Sequence, residues 1–325
     1  MNPEAKIYVA GHRGLVGSAL VRALNRSGHR NLVLRTHAEL DLTDQGAVRT
    51  FFSRERPQYV FLAAAKVGGI LANNTYPAEF VSQNLQIQAN VIESAHRSGV
   101  DRLLFLGSSC IYPKLAAQPM REDCLLSGAL EATNRPYAVA KIAGIETCWA
   151  YNRQYGTRYL AAMPTNLYGP ADNYDPETSH VIPALIRKMH EAKTDGEREV
   201  VVWGSGTPRR EFLYSDDLAD ACLYLMNLEH QHFDPLVTSD TTAPLVNIGS
   251  GQDQTTRELA QLVAEVVGFD GALVFDSSKP DGTLRKLLDT SQLSRLGWQS
   301  RTPLREGLGL VYKEFLRTLG LPVLC

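Results

Sequence analysis

The segment AKIYVAGHRGLVG, residues 5–17, decides the fold predicted for this chain. The apolar run IYVA predicts a strand, and the apolar positions that follow it recur at helical spacing. Gly11, Gly14 and Gly17 lie between the two elements. A strand, a glycine loop and a helix are typical of the turn that binds a dinucleotide pyrophosphate, because backbone amides and the helix N-terminus face the anion there. The spacing is G-x-x-G-x-x-G, so an ordinary strand–helix turn stays the alternative.

Short β-rich runs alternate with longer helical patterns through the first half of the chain. The strand-like runs include NLVLR, YVFLAA, RLLFLGS and RYLAAMP. This alternation predicts an α/β fold with a Rossmann-type doubly wound parallel sheet. We expect residues 1–170 plus about 212–250 to form an NADP-binding domain, and residues 171–211 plus about 251–325 to form a smaller, discontinuous α/β substrate domain.

The bulk composition excludes several function classes. Of the 325 residues, 44% are hydrophobic and 21% are charged, and the net charge of −2 lacks the basic excess of a nucleic-acid binder. The apolar runs are too short to span a bilayer, and the N-terminus lacks a signal-peptide pattern, so we expect a cytoplasmic protein without a membrane partner. The cysteines show neither metal-binding spacing nor a disulfide framework, and most are expected to be small core residues: Cys110, Cys124, Cys148, Cys222 and Cys325.

The end of the second predicted strand bears on the choice of cofactor. Proteins that prefer NAD usually place Asp or Glu here, to bind the ribose 2′-hydroxyl. This chain has Arg35, Thr36 and His37 instead. Together with Arg13 in the glycine loop, these residues would attract a 2′-phosphate, so the sequence predicts NADP(H). Alternatively, the two arginines are solvated surface charges. Asp41 either meets the adenine edge or caps the next helix.

A possible catalytic pair lies in the segment RPYAVAKIAG. Tyr137 and Lys141 are four residues apart, which places both side chains on one face of the predicted helix. A neighbouring cation favours phenolate, so we expect Tyr137 to exchange a proton near neutral pH. The strand LLFLG ends in Ser108, Ser109 and Cys110, and the carboxyl ends of parallel strands form the ligand crevice. A Tyr-x-x-x-Lys match alone is common by chance, and an exposed helix pair is the alternative.

In combination, these motifs resemble the extended short-chain dehydrogenase/reductase family. The match includes the glycine loop, the Ser after the fourth strand, the Tyr/Lys pair, MPTNLYGP, GSGTPRREFLYSDDLADA and DTSQLSRLGW, and it covers nearly the whole chain. AAAKVGGILANNTYPAEF, GSSCIYPK and TSHVIPALIRK are similar to the family members that make GDP-L-fucose. The resemblance implies an NADPH-dependent, bifunctional enzyme. It would convert GDP-4-keto-6-deoxy-D-mannose to GDP-L-fucose by 3,5-epimerisation and hydride reduction at C4.

The resemblance assigns roles to five residues. Ser108, Tyr137 and Lys141 would be the reductase triad, while Cys110 and His180 would be the acid–base pair of the epimerisation. The chemistry agrees, since a 4-ketone acidifies the protons at C3 and C5, and a thiol and an imidazole both exchange protons near neutral pH. The alternatives are an inert buried thiol for Cys110 and a loop or cap residue for His180.

The resemblance also implies cofactor and substrate contacts. The family often has Arg where this chain has His37, so we expect a weaker hold on the 2′-phosphate. Substrate contacts are implied for Lys188, Trp203, Arg210 and Asp281, although Trp203 follows VVV and would otherwise be a core residue. The implied cofactor contacts are Gly11, His12, Arg13, Gly14, Leu15, Val16, Gly17, His37, Asp41, Leu42, Leu106, Gly107, Ser109, Lys141, Pro164, Asn166, Leu167 and His180.

The family is typically dimeric, so a homodimer is implied through the Tyr-bearing helix and the long helix before it. Ile142, Ile145 and Trp149 would serve that interface or the core. Three other functions stay open. A 4,6-dehydratase usually carries an acidic pair soon after the strand-end Ser, a 4-epimerase recycles NAD without a Cys/His pair, and a non-catalytic dinucleotide-binding protein tends to lose the Tyr/Lys pair.

Overall fold

The computed structural model describes residues 1–176, 178–279 and 281–322, so Cys325 lies outside the described residues. Within this part of the chain, no helix has the length and hydropathy to span a membrane. The elements, in chain order, are β1 (Ile7–Ala10), α1 (Leu15–Arg26), β2 (Leu32–Val33), α2 (Gln45–Glu55), β3 (Tyr59–Leu62), α3 (Ile70–Thr75), α4 (Pro77–Ser98), β4 (Arg102–Leu106), α5 (Arg135–Tyr155), β5 (Tyr159–Pro164), β6 (Asn166–Tyr168), α6 (Val181–Asp195), β7 (Glu199–Trp203), β8 (Arg209–Tyr214), α7 (Ser215–Asn227), α8 (His230–Val237), β9 (Leu245–Ile248), β10 (Asp253–Thr255), α9 (Thr256–Val267), β11 (Ala272–Asp276), β12 (Arg285–Lys286), α10 (Ser291–Arg295) and α11 (Leu304–Thr318).

The main sheet has six parallel strands in the order β2-β1-β3-β4-β5-β9. The chain runs outward from β1 to β2 and then crosses to β3 on the other side, so the strand order reverses beside β1. In doubly wound sheets, ligands bind at such a point, beyond the carboxyl ends of the strands. The predicted Rossmann-type α/β fold is confirmed.

The second strand is shorter than predicted. The run NLVLR suggested a strand over residues 31–35, but only Leu32 and Val33 pair with β1. Arg35 leaves the edge of the sheet because its guanidinium group donates to Glu55 at the end of α2, at 3.1 Å. The segment after β2 is therefore free to approach the glycine loop from the side.

Two hydrophobic cores cover the two faces of the main sheet. Successive side chains of β1 enter opposite cores, as the two-residue period of a strand requires. Ile7 and Val9 pack with α1, α7 and α8, whereas Tyr8 and Ala10 pack with α2, α4 and α5. This arrangement holds the carboxyl end of β4 in the middle of the molecule, with α5 lying against it.

A third core lies beneath two smaller sheets. It contains apolar side chains of α6, β7, α9 and α11, together with Phe212 and Tyr214 of β8. β8 pairs with β6, β10 and β12, and β7 pairs with β11. Two features cross the predicted domain boundaries: β8 spans residues 211 and 212, and Leu293 and Trp298 pack in the core beside α7. The exact division into domains stays a prediction.

A buried carboxylate joins three segments behind these sheets. Glu211 in β8 is fully buried, and its oxygens accept hydrogen bonds from the backbone N–H groups of Gly251, at 2.7 Å, and Leu288, at 3.0 Å. Gly249 leaves room for it, since a Cβ there would lie 2.2 Å from Oε1 of Glu211. Burial raises the pKa of this carboxyl group. The side chain thus ties β8 to the loop after β9 and to the segment after β12.

We predict that Glu211→Gln lowers the free energy of unfolding by about 2 kcal/mol, because the new NH₂ group faces a backbone N–H and leaves a buried donor without an acceptor. Urea denaturation at pH 7 would measure this change. Glu199→Gln is the matched control, since Glu199 is exposed on β7 and should change stability by less than about 0.5 kcal/mol. Equal stability of the two variants would contradict the role assigned to Glu211.

Candidate active site

Two of the three loop glycines are required by close contacts. Gly11 has φ +83°, and a Cβ there would lie 2.8 Å from the backbone nitrogen of Ala64, beyond the end of β3. A Cβ on Gly17 would lie 2.0 Å from the carbonyl oxygen of Gly11. Gly14 instead has ordinary space and is the N-cap residue of α1. The first turn of α1 contains no acidic side chain, so its free N–H groups suit an anion.

The same loop contains a buried polar atom without a partner. Nδ1 of His12 is buried and has no hydrogen-bond partner among the residues described. Buried polar atoms in proteins are nearly always paired, so this nitrogen is suited to a group that a ligand supplies. Together with the glycine cradle and the α1 N-terminus, it shows that the residues present fit a dinucleotide.

The adenosine end of the predicted cofactor site contains an acid held in place. Oδ1 of Asp41 accepts from the backbone and hydroxyl of Thr43, at 2.9 and 2.8 Å, and these bonds lower the pKa of the carboxyl group. The N-cap of α2 is Asp44, so the helix-cap alternative for Asp41 is wrong. His37 is largely exposed, and its Nδ1 lies 3.8 Å from Oδ1 of Asp41.

The cations predicted for a 2′-phosphate are not equally available. Arg35 donates to Glu55 and to the carbonyl oxygen of Leu34. Its guanidinium group is therefore engaged in an ion pair within the protein. This geometry does not support the prediction that Arg35 attracts the 2′-phosphate of the cofactor. Arg13 is exposed and forms no ion pair with the residues that the structure describes. Arg13 is thus the cation best placed beside the loop.

A cluster of polar side chains lies at the carboxyl end of β4. Ser108 precedes a short 3₁₀ turn, Ser109–Ile111, and Lys141 of α5 is only 3% exposed. Nζ of Lys141 donates to the carbonyl oxygen of Leu106 at 2.7 Å and lies 5.8 Å from the centre of the Tyr137 ring. Burial lowers the pKa of Lys141 to about 8. The Tyr/Lys pair is therefore part of a buried pocket and not an exposed helix pair.

Burial opposes the effect expected of the cation beside Tyr137. Burial raises the pKa of its hydroxyl group well above the usual value, and the charge of Cys110 adds to the rise, whereas a hydrogen bond with Ser108 opposes it. The loss of water is the largest of these effects. The ring packs edge-to-face on Phe80, with centroids 6.2 Å apart. Tyr137 therefore holds its proton at neutral pH and is suited to donate it.

Cys110 is buried but has polar neighbours. It is 7% exposed, and burial raises the pKa of its thiol. A hydrogen bond with Ser108 and the positive charges of Lys286 and Lys141 act in the opposite direction. Its surroundings thus differ from those of Cys148 and Cys222, whose thiols are buried in the two main cores. The polar neighbours distinguish Cys110 from these two thiols, and its reactivity stays a prediction.

His180 lies apart from this cluster, at the N-terminus of α6. Its backbone is extended and its side chain is exposed, yet the surrounding protein still lowers the pKa of its imidazole through partial burial. The preceding residue approaches Gly69, because a Cβ on that glycine would lie 3.9 Å from the carbonyl oxygen of Ser179. No contact described in the structure joins His180 to Cys110. The structure therefore places the two proposed partners on different elements without bringing them together.

The remaining predicted cofactor residues line the loop and the strand ends. Leu15, Val16 and Leu167 are partly buried. The amide group of Asn166 donates to the carbonyl oxygen of Glu211 at 2.8 Å, which makes it a link between β6 and β8. The fully packed members of the set are Leu42, Leu106, Gly107, Ser109 and Pro164.

The predicted nucleotide end contains an exposed aromatic ring between two cations. Trp203 is 65% exposed at the end of β7, so the core alternative is wrong. Nζ of Lys188 lies 5.3 Å from its ring, and Nζ of Lys279 lies 5.5 Å from it. The sequence analysis did not single out Lys279. An aromatic face with two ammonium groups suits a flat base carrying phosphates.

The segment that follows β11 is held against the end of β7. The carboxylate of Asp281 accepts from the backbone and hydroxyl of Ser205, at 2.7 and 2.8 Å. Arg210 of β8 is partly buried, with its pKa lowered by burial, and pairs in register with Lys286 of β12. The sequence analysis did not single out Lys286 either.

Comparison with known proteins identifies the family. The profile of the NAD dependent epimerase/dehydratase family matches residues 7–236. The chain belongs to this family. It is 60% identical over 320 residues to GDP-L-fucose synthase 1 of Arabidopsis thaliana, covering 97% of this chain and 94% of that protein. It is 57% identical to GDP-L-fucose synthase of Escherichia coli, covering 96% and 97%.

A solved relative agrees in fold. The GDP-L-fucose synthetase from Naegleria fowleri, bound to NADP, superposes with a TM-score of 0.87 at 27% identity, covering 98% of this chain and 96% of that one. The family resemblance predicted from the sequence is therefore confirmed. The roles of individual site residues stay predictions.

The glycine loop gives a prediction that separates folding from binding. Gly17→Ala should lower the free energy of unfolding by about 2 kcal/mol, because the new Cβ collides with a backbone oxygen. Gly14→Ala has space and a permitted φ of −78°, so its stability should stay within about 0.5 kcal/mol of the original. Its affinity for NADPH should fall about tenfold if the pyrophosphate approaches this backbone. Denaturation and NADPH fluorescence titration measure the two effects, and a stable Gly17→Ala protein would contradict the packing described.

The buried ammonium group gives a pH prediction. Since the pKa of Lys141 falls from 10.5 to about 8 on folding, carrying this charge at pH 7 costs the fold about 3 kcal/mol. Lys141→Met removes that cost and loses one hydrogen bond worth about 1 kcal/mol, so it should stabilise the fold by about 2 kcal/mol. The gain should vanish as the pH rises from 8 to 10.5, because the native lysine is neutral above pH 8 and the lysine of the unfolded chain loses its proton over this range.

Urea denaturation at pH 7 and pH 10 measures this difference. Lys313→Met, at an exposed lysine of α11, is the control and should change little at either pH. A Lys141→Met protein less stable than the original at pH 7 would show that burial does not penalise the ammonium group.

Proposed function

We propose that this chain converts GDP-4-keto-6-deoxy-D-mannose to GDP-L-fucose, by epimerisation at C3 and C5 and reduction at C4 with NADPH. The observation that carries the proposal is the cluster at the carboxyl end of β4, in which Cys110 and Lys141 are buried and Ser108 and Tyr137 are partly buried. It provides proton donors beside a dinucleotide loop. The relatives from Arabidopsis and Escherichia coli, both GDP-L-fucose synthases by name, support the choice of substrate.

The cofactor of the proposed reaction is NADP(H), which supplies the hydride when it is bound. The glycine loop and the N-terminus of α1 would hold its pyrophosphate, and Arg13 would contact the 2′-phosphate. Asp41, fixed by Thr43, would meet the adenosine end. His37 offers only a weak second contact, because it is exposed and lies beside Asp41. The NADP in the Naegleria fowleri structure supports this assignment.

The reduction step needs a proton for the C4 oxygen. Tyr137 supplies it, since its hydroxyl group remains protonated at neutral pH. Ser108 orients the same oxygen by hydrogen bonding. Lys141, with a pKa of about 8, is mostly charged at pH 7 and stabilises the phenolate that remains. Tyr137 would thus deliver one proton to the C4 oxygen in each turnover.

The epimerisation needs an acid and a base on opposite faces of the sugar. The lowered pKa of His180 keeps its imidazole neutral at pH 7, which suits a base, and the raised pKa of Cys110 keeps its thiol protonated, which suits an acid. Tyr137 and Ser108 would hydrogen-bond the enolate oxygen as negative charge develops. We therefore infer that His180 and Cys110 act as an acid–base pair on the ring protons, one on each face of the sugar.

The GDP group would lie on the smaller sheets. Trp203 offers a stacking face, and Lys188 and Lys279 bring two positive charges to it. Arg210 is suited to the diphosphate because its planar fork matches phosphate oxygens. Asp281 holds the segment that contains Lys279 against the end of β7. This arrangement supports a nucleotide sugar, as opposed to a free sugar.

The related functions are separated by the cofactor balance. A 4,6-dehydratase and a 4-epimerase leave the amount of NADPH unchanged, whereas the proposed reaction consumes it.

The homodimer and the cytoplasmic location stay predictions. Ile142 and Ile145 are buried within the core of one chain, which agrees with the core alternative, and Trp149 is partly buried and donates to the carbonyl oxygen of Ser239. Leu85, Val139 and Tyr155 remain exposed on α4 and α5 and are better candidates.

Two substitutions should separate the proton transfers from the reduction in deuterated water. Cys110→Ser should lower solvent deuterium incorporation at C3 and C5 at least a hundredfold, because a hydroxyl group is a far weaker acid, with NADPH affinity unchanged. Tyr137→Phe should instead lower NADPH oxidation by at least a hundredfold, because no proton reaches the C4 oxygen. Mass spectrometry of the nucleotide sugar and absorbance of NADPH measure the two effects. Product without solvent deuterium from the unaltered protein would contradict the epimerisation.

A further inference from the structure

Lys286 brings a positive charge into the active-site cleft without a partner of its own. It lies on β12, which pairs in parallel with β8, and its register partner is Arg210. Its side chain forms no hydrogen bond or ion pair with the described part of the chain, and burial lowers its pKa. A withdrawn ammonium group next to a guanidinium group is unfavourable unless a negative charge forms nearby.

Cys110 is the acidic group that Lys286 faces. The two side chains line the same narrow cavity of about 10 Å³, roughly the space of one water molecule, together with Glu131 and Lys114. Glu131 does not neutralise Lys286 alone, because it already pairs with Lys114 at 2.8 Å. Of the charges that act on Lys286, that of Cys110 has the largest effect.

The two lysines near Cys110 have different tasks. Lys141 reaches it from α5, but its Nζ is held by the carbonyl oxygen of Leu106 and lies beside the Tyr137 ring. Lys286 reaches it from β12, and its effect on Cys110 is larger than that of Lys141. Ser108 adds a hydrogen bond from the strand end, and Tyr137 adds only a neutral hydroxyl group.

We propose that Lys286 is a positioning residue for Cys110, whose thiolate it stabilises during epimerisation. When Cys110 acts as the acid, its S–H bond breaks, the proton joins the enolate carbon to form a C–H bond, and the electron pair stays on sulfur. Lys286 neither gives nor takes a proton; its ammonium group stands beside the new negative charge. This inference rests on the proposed function, and it adds the group that makes a buried thiol acidic enough to donate.

A simpler role would be contact with the substrate diphosphate, as the position beside Arg210 also suggests. The two roles differ in the free protein. A phosphate contact alone would change the affinity for GDP and leave the thiol unchanged, whereas a thiolate partner changes the thiol before any substrate is present.

The first experiment follows the alkylation of Cys110 by iodoacetamide as a function of pH, in the substrate-free protein. Mass spectrometry of the peptide that contains Cys110 separates it from the other thiols. In Lys286→Met, the midpoint of the reactivity curve should move to higher pH, because the thiolate loses its cation. Lys286→Arg is the matched control and should keep the midpoint, since it retains the charge.

The second experiment measures solvent deuterium entering GDP-4-keto-6-deoxy-D-mannose without NADPH, so that only epimerisation is observed. Lys286→Met should be about tenfold slower at pH 7 and its pH profile should move to higher pH, because sulfur then holds its proton more tightly, and Lys286→Arg should largely restore both the rate and the profile. This readout decides the question if Cys110 proves too buried for the reagent. Unchanged pH profiles in both experiments would overturn the inference, even if GDP affinity fell. Failure of the unaltered protein to exchange deuterium would instead overturn the proposed function.

Discussion

The exclusion of water from the carboxyl end of β4 is the constraint on which the chemistry of this site depends. Lys141 gives up its hydration for one hydrogen bond to the carbonyl oxygen of Leu106 and a place near the Phe105 ring. In such surroundings every charged form becomes less favourable, so the lysine loses protons more easily while Tyr137 and Cys110 hold theirs. Proton donors and a weakly held cation therefore coexist at neutral pH within one pocket.

The fold creates this dryness through close packing of α5 on β4. Gly144 lies one turn after Lys141, and a Cβ there would be 2.4 Å from the Phe105 ring and 2.8 Å from the side chain of Gln88. Only glycine permits α5 to approach the sheet and α4 at this distance. The approach lets Lys141 reach the end of β4, and it places Tyr137 over the strand end that carries Ser108 and Cys110.

The sequence was sufficient for features that depend on local pattern. The strand–glycine–helix unit, the alternation that gives the parallel sheet and the placement of Tyr137 and Lys141 on one helix face all follow from residues that are close in the chain. It was insufficient where burial decides. The neighbouring cation was expected to favour the phenolate form of Tyr137, but the sequence does not show how far burial of the phenol opposes that effect. Likewise, Trp203 follows three valines, yet alternation along β7 exposes it.

Two cations were missed for a different reason. Lys279 and Lys286 each lie beside a residue that is distant in the sequence. Lys279 approaches Trp203 at the end of β7, and Lys286 pairs in register with Arg210 on β8. Pairings between short strands leave little trace in the local sequence, because each strand here has only two to six residues. Sequence motifs therefore predicted the proposed catalytic residues. The structure was needed to identify the two lysines proposed to contact the nucleotide and the Cys110 thiol.

The most direct test of a dry pocket is the titration of Lys141 itself. Nitrogen-15 NMR of labelled lysine side chains, with the Nζ signal assigned by its loss in Lys141→Arg, follows this group across the pH range. The account predicts a midpoint at about 8 in the free protein. A midpoint near 10.5, the value of a hydrated lysine, would show that water reaches the cluster and would contradict the proton chemistry assigned to it.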